Sequence, residues 1–230
     1  AKKHKLKVIE DNAQAIGCKY TFPDEDIKFT GTVGHIGTTS FYPSKNLGCY
    51  GDGGAIFTDD NYLANKLRMI VNHGEKIKYH HEIVGCNSRL DSIQAEILNV
   101  KLKYSDEYNS NRKIMASKYN LAFNEINEIN IPKVNSNSDH VYHQYTLRVL
   151  NGKRDELKSY LNDFGIPSMI YYPIPIHKQK PYLNGQSLEN TDILSDEVIS
   201  LPIHTEIENS NQDYIIEKVK SFFRWKEKIF

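Results

Sequence analysis

Neither sign of charge is in excess in this sequence. Lysine plus arginine and aspartate plus glutamate each number 29, so the formal charge is zero with histidine neutral. A general polyanion binder carries a basic excess, so the balance argues against a nucleic-acid-binding protein while leaving room for a local basic pocket. Long apolar runs are missing too. Nothing approaches the ~18 residues of a membrane-spanning helix, and AKKHKLKVIED has basic residues without the apolar stretch of a signal peptide. Cysteine is scarce: Cys18, Cys49 and Cys86 are odd in number and lack metal-binding spacing, which reads as free thiols in a reducing, cytoplasmic compartment. His80-His81 and His140-x-x-His143 come without cysteine or carboxylate at zinc-like spacing, so no metal site is expected. The rest is of globular composition. With 39% hydrophobic and 25% charged residues the chain is unlike a disordered one. Its 230 residues can bury roughly 70% of the surface the unfolded chain exposes, in one or two domains.

Hydrophobic patterning predicts strands over 5–10 (KLKVIE), 33–42 (VGHIGTTSFY) and 54–58 (GAIFT). Asp59 and Asp60 offer N-caps for a helix carrying Leu63, Leu67 and Ile70, ending near His73-Gly74. From Asp91 to Phe123 one long helical pattern runs through Ile93, Ile97, Val100, Tyr104 and Tyr108 without Gly or Pro. Asn and Ser crowd 124–139, the best boundary loop. A strand at 143–150, a helix at 153–164 stopped by Gly165 and Pro167, and a strand at 168–172 predict a β-α-β unit, hence a second, smaller α/β domain. A last helix spans about 211–226.

Three segments carry chemistry. In Glu10-Asp11-Asn12-Ala13-Gln14, a carboxylate sits just past a strand, where ligands bind in open α/β sheets; equally, Asp11 could cap a short helix. In Ser40-Phe41-Tyr42-Pro43-Ser44-Lys45-Asn46-Leu47-Gly48-Cys49-Tyr50-Gly51-Asp52-Gly53-Gly54, a lysine lies among hydroxyls, aromatics and glycines. Desolvated, such a lysine can attack a carbonyl; solvated, it is a surface residue of a glycine-rich turn. In Gly85-Cys86-Asn87-Ser88-Arg89-Leu90-Asp91, a helix entry offers Asn87 and Arg89, with Arg89 able to pair with Asp91 or with a carboxylate ligand. There is no P-loop order and no G-x-G-x-x-G after a strand.

Together, E-D-x-A-Q-A-x-G, S-F-x-P-S-K-N-L-G-x-x-G-D-G-G-A and G-x-N-S-R-L-D-x-I-Q-A-x-I-L, in that order, resemble the DegT/DnrJ/EryC1/StrS sugar aminotransferases. Tyr172-Pro173-Ile174-Pro175-Ile176-His177 resembles the family's Y-P-x-P-x-H segment, and Leu201-Pro202-Ile203-His204 its late L-P-[IM]-H stretch. The resemblance implies an α/β chain of the pyridoxal phosphate-dependent transferase fold type I (aspartate aminotransferase-like). It would hold part of the large cofactor domain at 1–108, ending in a long helix, and the small C-terminal α/β domain at 109–230. It implies pyridoxal 5'-phosphate as cofactor, carried by Lys45, which also shuttles the proton in catalysis. It assigns Asp11 to the pyridinium nitrogen, Gln14 to the phenolic oxygen, Ser40 to the phosphate and Asn87 to the phosphate of a neighbouring subunit. A homodimer with shared active sites follows. Arg89, Tyr172 and His177 would bind substrate, Arg89 meeting an anionic part of it.

The implied reaction moves an amino group from L-glutamate to a nucleotide-linked keto sugar. The S-F-x-P-S-K-N-L-G form favours the 3-keto position of a UDP- or dTDP-hexose, a uronic acid if Arg89 meets a carboxylate, for cell-surface polysaccharide or O-antigen synthesis. Relatives that dehydrate rather than aminate carry His at the lysine position, so Lys45 argues against that branch. The family's N-terminal part has no counterpart here, which leads us to expect a C-terminal portion with apolar faces and sheet edges uncovered. The alternative is a truncated, non-catalytic remnant or interaction module. The stretch TFPDEDIKFTG lengthens the segment between Asp11 and Ser40 and predicts a surface hairpin.

Overall fold

The computed structural model describes residues 1–227, with side chains as far as Arg224. The chain divides into two compact units: Ala1–Asn109 with Asn135–His143, and Ser110–Val134 with Gln144–Phe230. The division falls next to the expected 108/109 boundary, but inside a helix. The Asn/Ser-rich stretch is not simply a boundary loop, because 135–143 packs with the first unit.

The first unit is built on a three-stranded sheet of order β1-β4-β5, formed by β1 (Ile9–Asp11), β4 (Ile36–Ser40) and β5 (Gly54–Phe57). β1 and β4 run parallel with Asp11 opposite Thr38, and β5 runs antiparallel to β4 with Gly54 opposite Ser40. β1 starts later than the sequence predicts. Lys2–His4 form a 3-10 turn, and Val8 already spends its N–H on the His35 ring rather than on a ladder. The predicted hairpin is present as β2 (Lys19–Thr21) and β3 (Ile27–Phe29). Helix α1 (Asn61–Val71) starts at the expected cap: Asp60 Oδ1 accepts from the N–H groups of Tyr62 (2.8 Å) and Leu63 (3.2 Å). A short hairpin of β6 (Glu75–Ile77) and β7 (His80–His81) follows, unanticipated by the sequence.

The single helix expected over 91–123 is two helices, α2 (Ser92–Leu102) and α3 (Ser105–Phe123). The break needs no glycine or proline. Tyr104 N–H bonds the Lys101 carbonyl, an i−3 rather than i−4 step, and the next helix starts from there. The periodic apolar set therefore does not share one buried face: Ile93 is 75%, Val100 59% and Tyr104 48% exposed. What α2 buries is Leu98, packed with Phe41, Leu47 and Cys49. The three cysteines are free; Cys18 and Cys49 are buried and Cys86 is exposed.

The second unit holds an antiparallel sheet of order β10-β9-β8, from β8 (Ile129–Asn130), β9 (Tyr145–Val149) and β10 (Val198–Leu201). β9 alternates cleanly, burying Tyr145, Leu147 and Val149. Helix α4 (Arg154–Asp163) closes as predicted, with Gly165 at φ +71° and Ile166 N–H returning to the Leu161 carbonyl. Helix α5 (Glu189–Glu197) leads into β10, and α6 (Asn209–Glu227) completes the unit. The expected β-α-β arrangement is absent. Residues 168–172 make only an isolated bridge, Met169 to Ser200, and β10 fills the place beside β9. Pro167 and Pro173 border the segment and lack the N–H that would extend its pairing in either direction. The core gathers Tyr119 and Phe123 of α3 with Leu157, Leu161, Ile199 and Val219. Burial pushes the Tyr119 phenol up from its ordinary value, and its O–H donates to the Pro202 carbonyl at 3.0 Å.

Among the described residues no helix is long and apolar enough to cross a membrane, and no group of three His, Cys, Asp or Glu side chains could hold a metal ion.

Candidate active site

The parallel pair β1/β4 sets the site. Asp11 and Ser40 both lie at the carboxyl ends of these strands, and Lys45 follows five residues after Ser40. In-register residues of a sheet share a face, so Asp11, Thr38 and Ser40 are placed together. Gly54, opposite Ser40, brings the Gly-rich segment 51–54 to the same end.

The side chains there are uncommitted. Asp11 is exposed; its Oδ1 accepts from Ala13 N–H at 3.0 Å, and Oδ2 has no partner among the described residues. That bond closes a turn within the loop and does not cap a helix, since 12–18 contain none. Gln14 is exposed in the same loop. Ser40 Oγ accepts from Tyr42 N–H at 3.3 Å, which leaves its hydrogen free to donate. Lys45 is half-buried; its backbone closes a turn onto the Tyr42 carbonyl, and its amine has no hydrogen bond or ion pair among the described residues.

The supports are, by contrast, saturated, and their bonds were not evident from the motifs that contain some of them. Glu10 points to the other face from Asp11 and collects three backbone donors: Gly31 at 3.0 Å, Val33 at 2.7 Å and Gly34 at 2.6 Å. The loop it holds passes so close to β4 that a Cβ on Gly37 would lie 1.8 Å from the Gly31 carbonyl oxygen. We expect Glu10→Ala to destabilise the chain by about 2 kcal/mol, the scale of charge-assisted hydrogen bonds. The check is a lower denaturant midpoint at unchanged slope, and a midpoint equal to the parent's would refute it. On the far side of Lys45, Tyr50 N–H bonds Gln94 at 2.8 Å, and the Lys101 ammonium bonds the Gly48 carbonyl at 2.7 Å.

Asn87 and Arg89 stand together, exposed, beside the end of α1. Arg89 donates to Asn87 Oδ1 (3.1 Å) and to Asn72 Oδ1 (3.3 Å). It does not pair with Asp91, and Asp91, though at the N-cap of α2, makes no side-chain cap. Arg89 lines a cavity of about 710 Å3 together with Thr38, Gly53, Gly54 and Ile56. Asp11, Ser40 and Lys45 are not among its lining residues. Tyr172 and His177 belong to the second unit. Tyr172 is 68% exposed. His177, expected to bind substrate, is buried; its ring makes no aligned hydrogen bond, and Nε2 lies 3.1 Å from Asp192 Oδ1. The Lys178 ammonium, 2.8 Å from the same oxygen, holds the Asp192 carboxyl below its ordinary value.

Lys45 supplies an amine without a partner among the described residues, Ser40 a hydroxyl with a free hydrogen and Asp11 a carboxylate with an open oxygen, donor types that suit a phosphorylated heterocycle bearing a carbonyl. The donor set thus fits pyridoxal 5'-phosphate, the cofactor of the aminotransferases this chain resembles. The chain belongs to the DegT/DnrJ/EryC1/StrS aminotransferase family, whose model matches residues 1–220. It is 44% identical over 231 residues to the "Pleiotropic regulatory protein" of Geobacillus stearothermophilus, covering 97% of this chain and 60% of that one. It is 40% identical over 212 residues to the UDP-2-acetamido-2-deoxy-3-oxo-D-glucuronate aminotransferase of Pseudomonas aeruginosa, covering 92% and 57%. Among solved structures it resembles NtdA of Bacillus subtilis with bound cofactor PMP, at 31% identity and a TM-score of 0.85, covering 97% and 52%. The mixed α/β fold is that of the pyridoxal phosphate-dependent sugar aminotransferases. The chain spans about 60% or less of the length of these relatives.

Proposed function

We propose that this chain carries the lysine, the pyridinium-binding carboxylate and a phosphate ligand of a pyridoxal 5'-phosphate-dependent aminotransferase. The enzyme would move the amino group of L-glutamate to a nucleotide-linked sugar with a 3-keto group. The observation that carries the reading is the shared carboxyl end of β1 and β4, which holds Asp11 and Ser40, with Lys45 five residues further along the chain and its amine unpartnered among the described residues. The 3-oxo sugar in the name of a relative at 40% identity supports the position aminated. UDP or dTDP as carrier, a uronic acid as the sugar and a role in surface polysaccharide follow the same line.

The cofactor, when bound, supplies an electron sink that makes a hydrogen on the amine-bearing carbon acidic. The chain's residues do the rest. Asp11 Oδ2 accepts from a protonated ring nitrogen and keeps it protonated, since a carboxylate beside a cationic N–H favours the charged form. The Ser40 hydroxyl donates to a phosphate oxygen, and the Gln14 amide to a phenolic one. The Lys45 amine takes the proton from the α-carbon of glutamate and delivers one to C3 of the acceptor sugar. Asn87 reaches the phosphate bound by a second copy of the chain, which makes the working form a homodimer with shared sites. Arg89 and Tyr172, both exposed, contact the substrate, Arg89 through a bidentate grip on a carboxylate. We assign His177, buried with Nε2 3.1 Å from Asp192 Oδ1, to holding the segment that carries Tyr172.

The test is a titration of the chain with pyridoxal 5'-phosphate, followed by borohydride reduction and peptide mapping. We expect a visible band, a label confined to Lys45 and loss of the band when L-glutamate is added before reduction. Label scattered over surface lysines would refute a formed site and favour a non-catalytic remnant.

A further inference from the structure

Lys45 is free, but the residue after it is bonded on every side that counts. Asn46 Nδ2 donates to the Val141 carbonyl at 2.9 Å. A carbonyl can only accept, so the orientation of the amide is settled. The second N–H goes to Asn109 Oδ1 at 2.8 Å. Asn46 Oδ1 therefore faces His143 Nδ1, 3.2 Å away, and because an amide oxygen only accepts, that ring nitrogen carries the hydrogen. Asn109, 4% exposed, spends its own amide on the Ile16 carbonyl at 3.1 Å. Ile16 lies in the loop that begins at Asp11. One chain of hydrogen bonds thus joins the Asp11 loop to the Lys45 loop through two carboxamides.

Its surroundings are built for it. Gly17 has φ +81°, and a Cβ there would sit 2.6 Å from Asn109 Nδ2, so only glycine leaves room for the bond to Ile16. Val141 and His143 come from 135–143, the segment that returns to the first unit. Hairpin strand β2 holds that segment: Thr21 N–H bonds the Asn137 carbonyl and Asp139 N–H bonds the Lys19 carbonyl, both at 2.8 Å. The strap is anchored to β2 at 137–139 and grips Asn46 through 141 and 143.

We infer that Asn46, with Asn109 and His143, is a positioning device: it fixes the backbone from which Lys45 reaches out, in register with the Asp11 carboxylate. The inference rests on the reading of Lys45 as the cofactor-bearing lysine. None of the three residues needs to touch cofactor or substrate. Their work is to hold a long flexible side chain by its root, where an ångström of drift matters.

The test compares Asn46→Ala, His143→Leu and His143→Asn with the unsubstituted chain. The probe is pyridoxal 5'-phosphate, trapped by borohydride. The readouts are the rate of label at Lys45 relative to surface lysines, the half-saturating concentration, and amide hydrogen exchange over 44–50. We expect Asn46→Ala and His143→Leu to lose about tenfold or more of the Lys45 rate at little change in half-saturation, with faster exchange in the loop. His143→Asn keeps a donor near the position of Nδ1 and should recover most of the rate. A Lys45 rate within about threefold of the parent in Asn46→Ala, or no advantage of His143→Asn over His143→Leu, overturns the inference. The histidine pair keeps it falsifiable if Asn46→Ala fails to fold. No Lys45 label in the unsubstituted chain would overturn the cofactor reading and this inference with it, a result distinct from equal labelling in the variants.

Discussion

Replacing Lys45 by alanine is expected to lower kcat for amination of a nucleotide-linked 3-keto sugar by about 10^4-fold, the upper end of what a positioned acid–base group contributes. The enzyme assayed should be the protein that contains this chain, saturated with cofactor. Two features of Lys45 support so large a loss. Its amine has no hydrogen bond or ion pair among the described residues, so no described side chain is bonded to it and ready to take over the proton. Its backbone turn onto the Tyr42 carbonyl survives truncation of the side chain, so the loss is chemical and not a collapse of the loop. Lys45→Arg should not rescue, because a guanidinium stays protonated and cannot accept the α-hydrogen. Added methylamine should restore part of the rate by supplying a free base of similar strength. The direct measurement is exchange of the α-hydrogen of glutamate with solvent deuterium, followed by NMR. A variant retaining exchange within about tenfold of the parent would refute the assignment.

The second large effect is at Asp11. Asn is the informative substitution, because it keeps the Oδ1 bond to Ala13 N–H and removes only the charge. We expect Asp11→Asn to lower kcat by about 10^2- to 10^3-fold, the scale seen when one preorganised electrostatic partner is removed. Thermal stability should barely change, since the side chain is exposed and the turn is retained. A kcat within about threefold of the parent would mean that the open Oδ2 meets no cationic ring nitrogen. Asp11→Glu should fall between, the charge being present but displaced by one methylene.

Local chemistry was legible in the sequence wherever a few neighbouring residues decide the outcome. The Asp60 cap and the stop at Gly165 both depend on bonds spanning two to five residues, and both are where the pattern puts them. The hairpin after Gly17 is likewise local. The failures have one cause. Whether 91–123 is one helix or two depends on what α2 packs against, which is Leu47 and Cys49, some fifty residues back. Whether 168–172 joins a sheet depends on β10 competing for the edge of β9. The Asn/Ser-rich stretch read as a loop because its anchors on Lys19, Thr21 and Asn46 are invisible to any short window. At the site, the motif residues stood out as a set, but the supporting roles of Glu10, itself in the first motif, and of Asn109 run through backbone groups and a carboxamide far along the chain. His177 stands in a conspicuous motif, but its neighbour Asp192 lies in no motif, so the contact between them was not legible.

The burial of two cysteines has a practical side. Cys49 Sγ sits within 3.0 Å of the carbonyls of Phe41 and Gly51, and Cys18 is packed beneath the hairpin. Only Cys86 offers its thiol to solvent, directly before Asn87 and three residues from Arg89. A maleimide fluorophore should therefore attach to the native chain at one position without engineering, and to three in denaturant, as intact mass would report. The dye would stand three residues from Arg89, so its emission offers a built-in reporter for the ligands proposed to bind there.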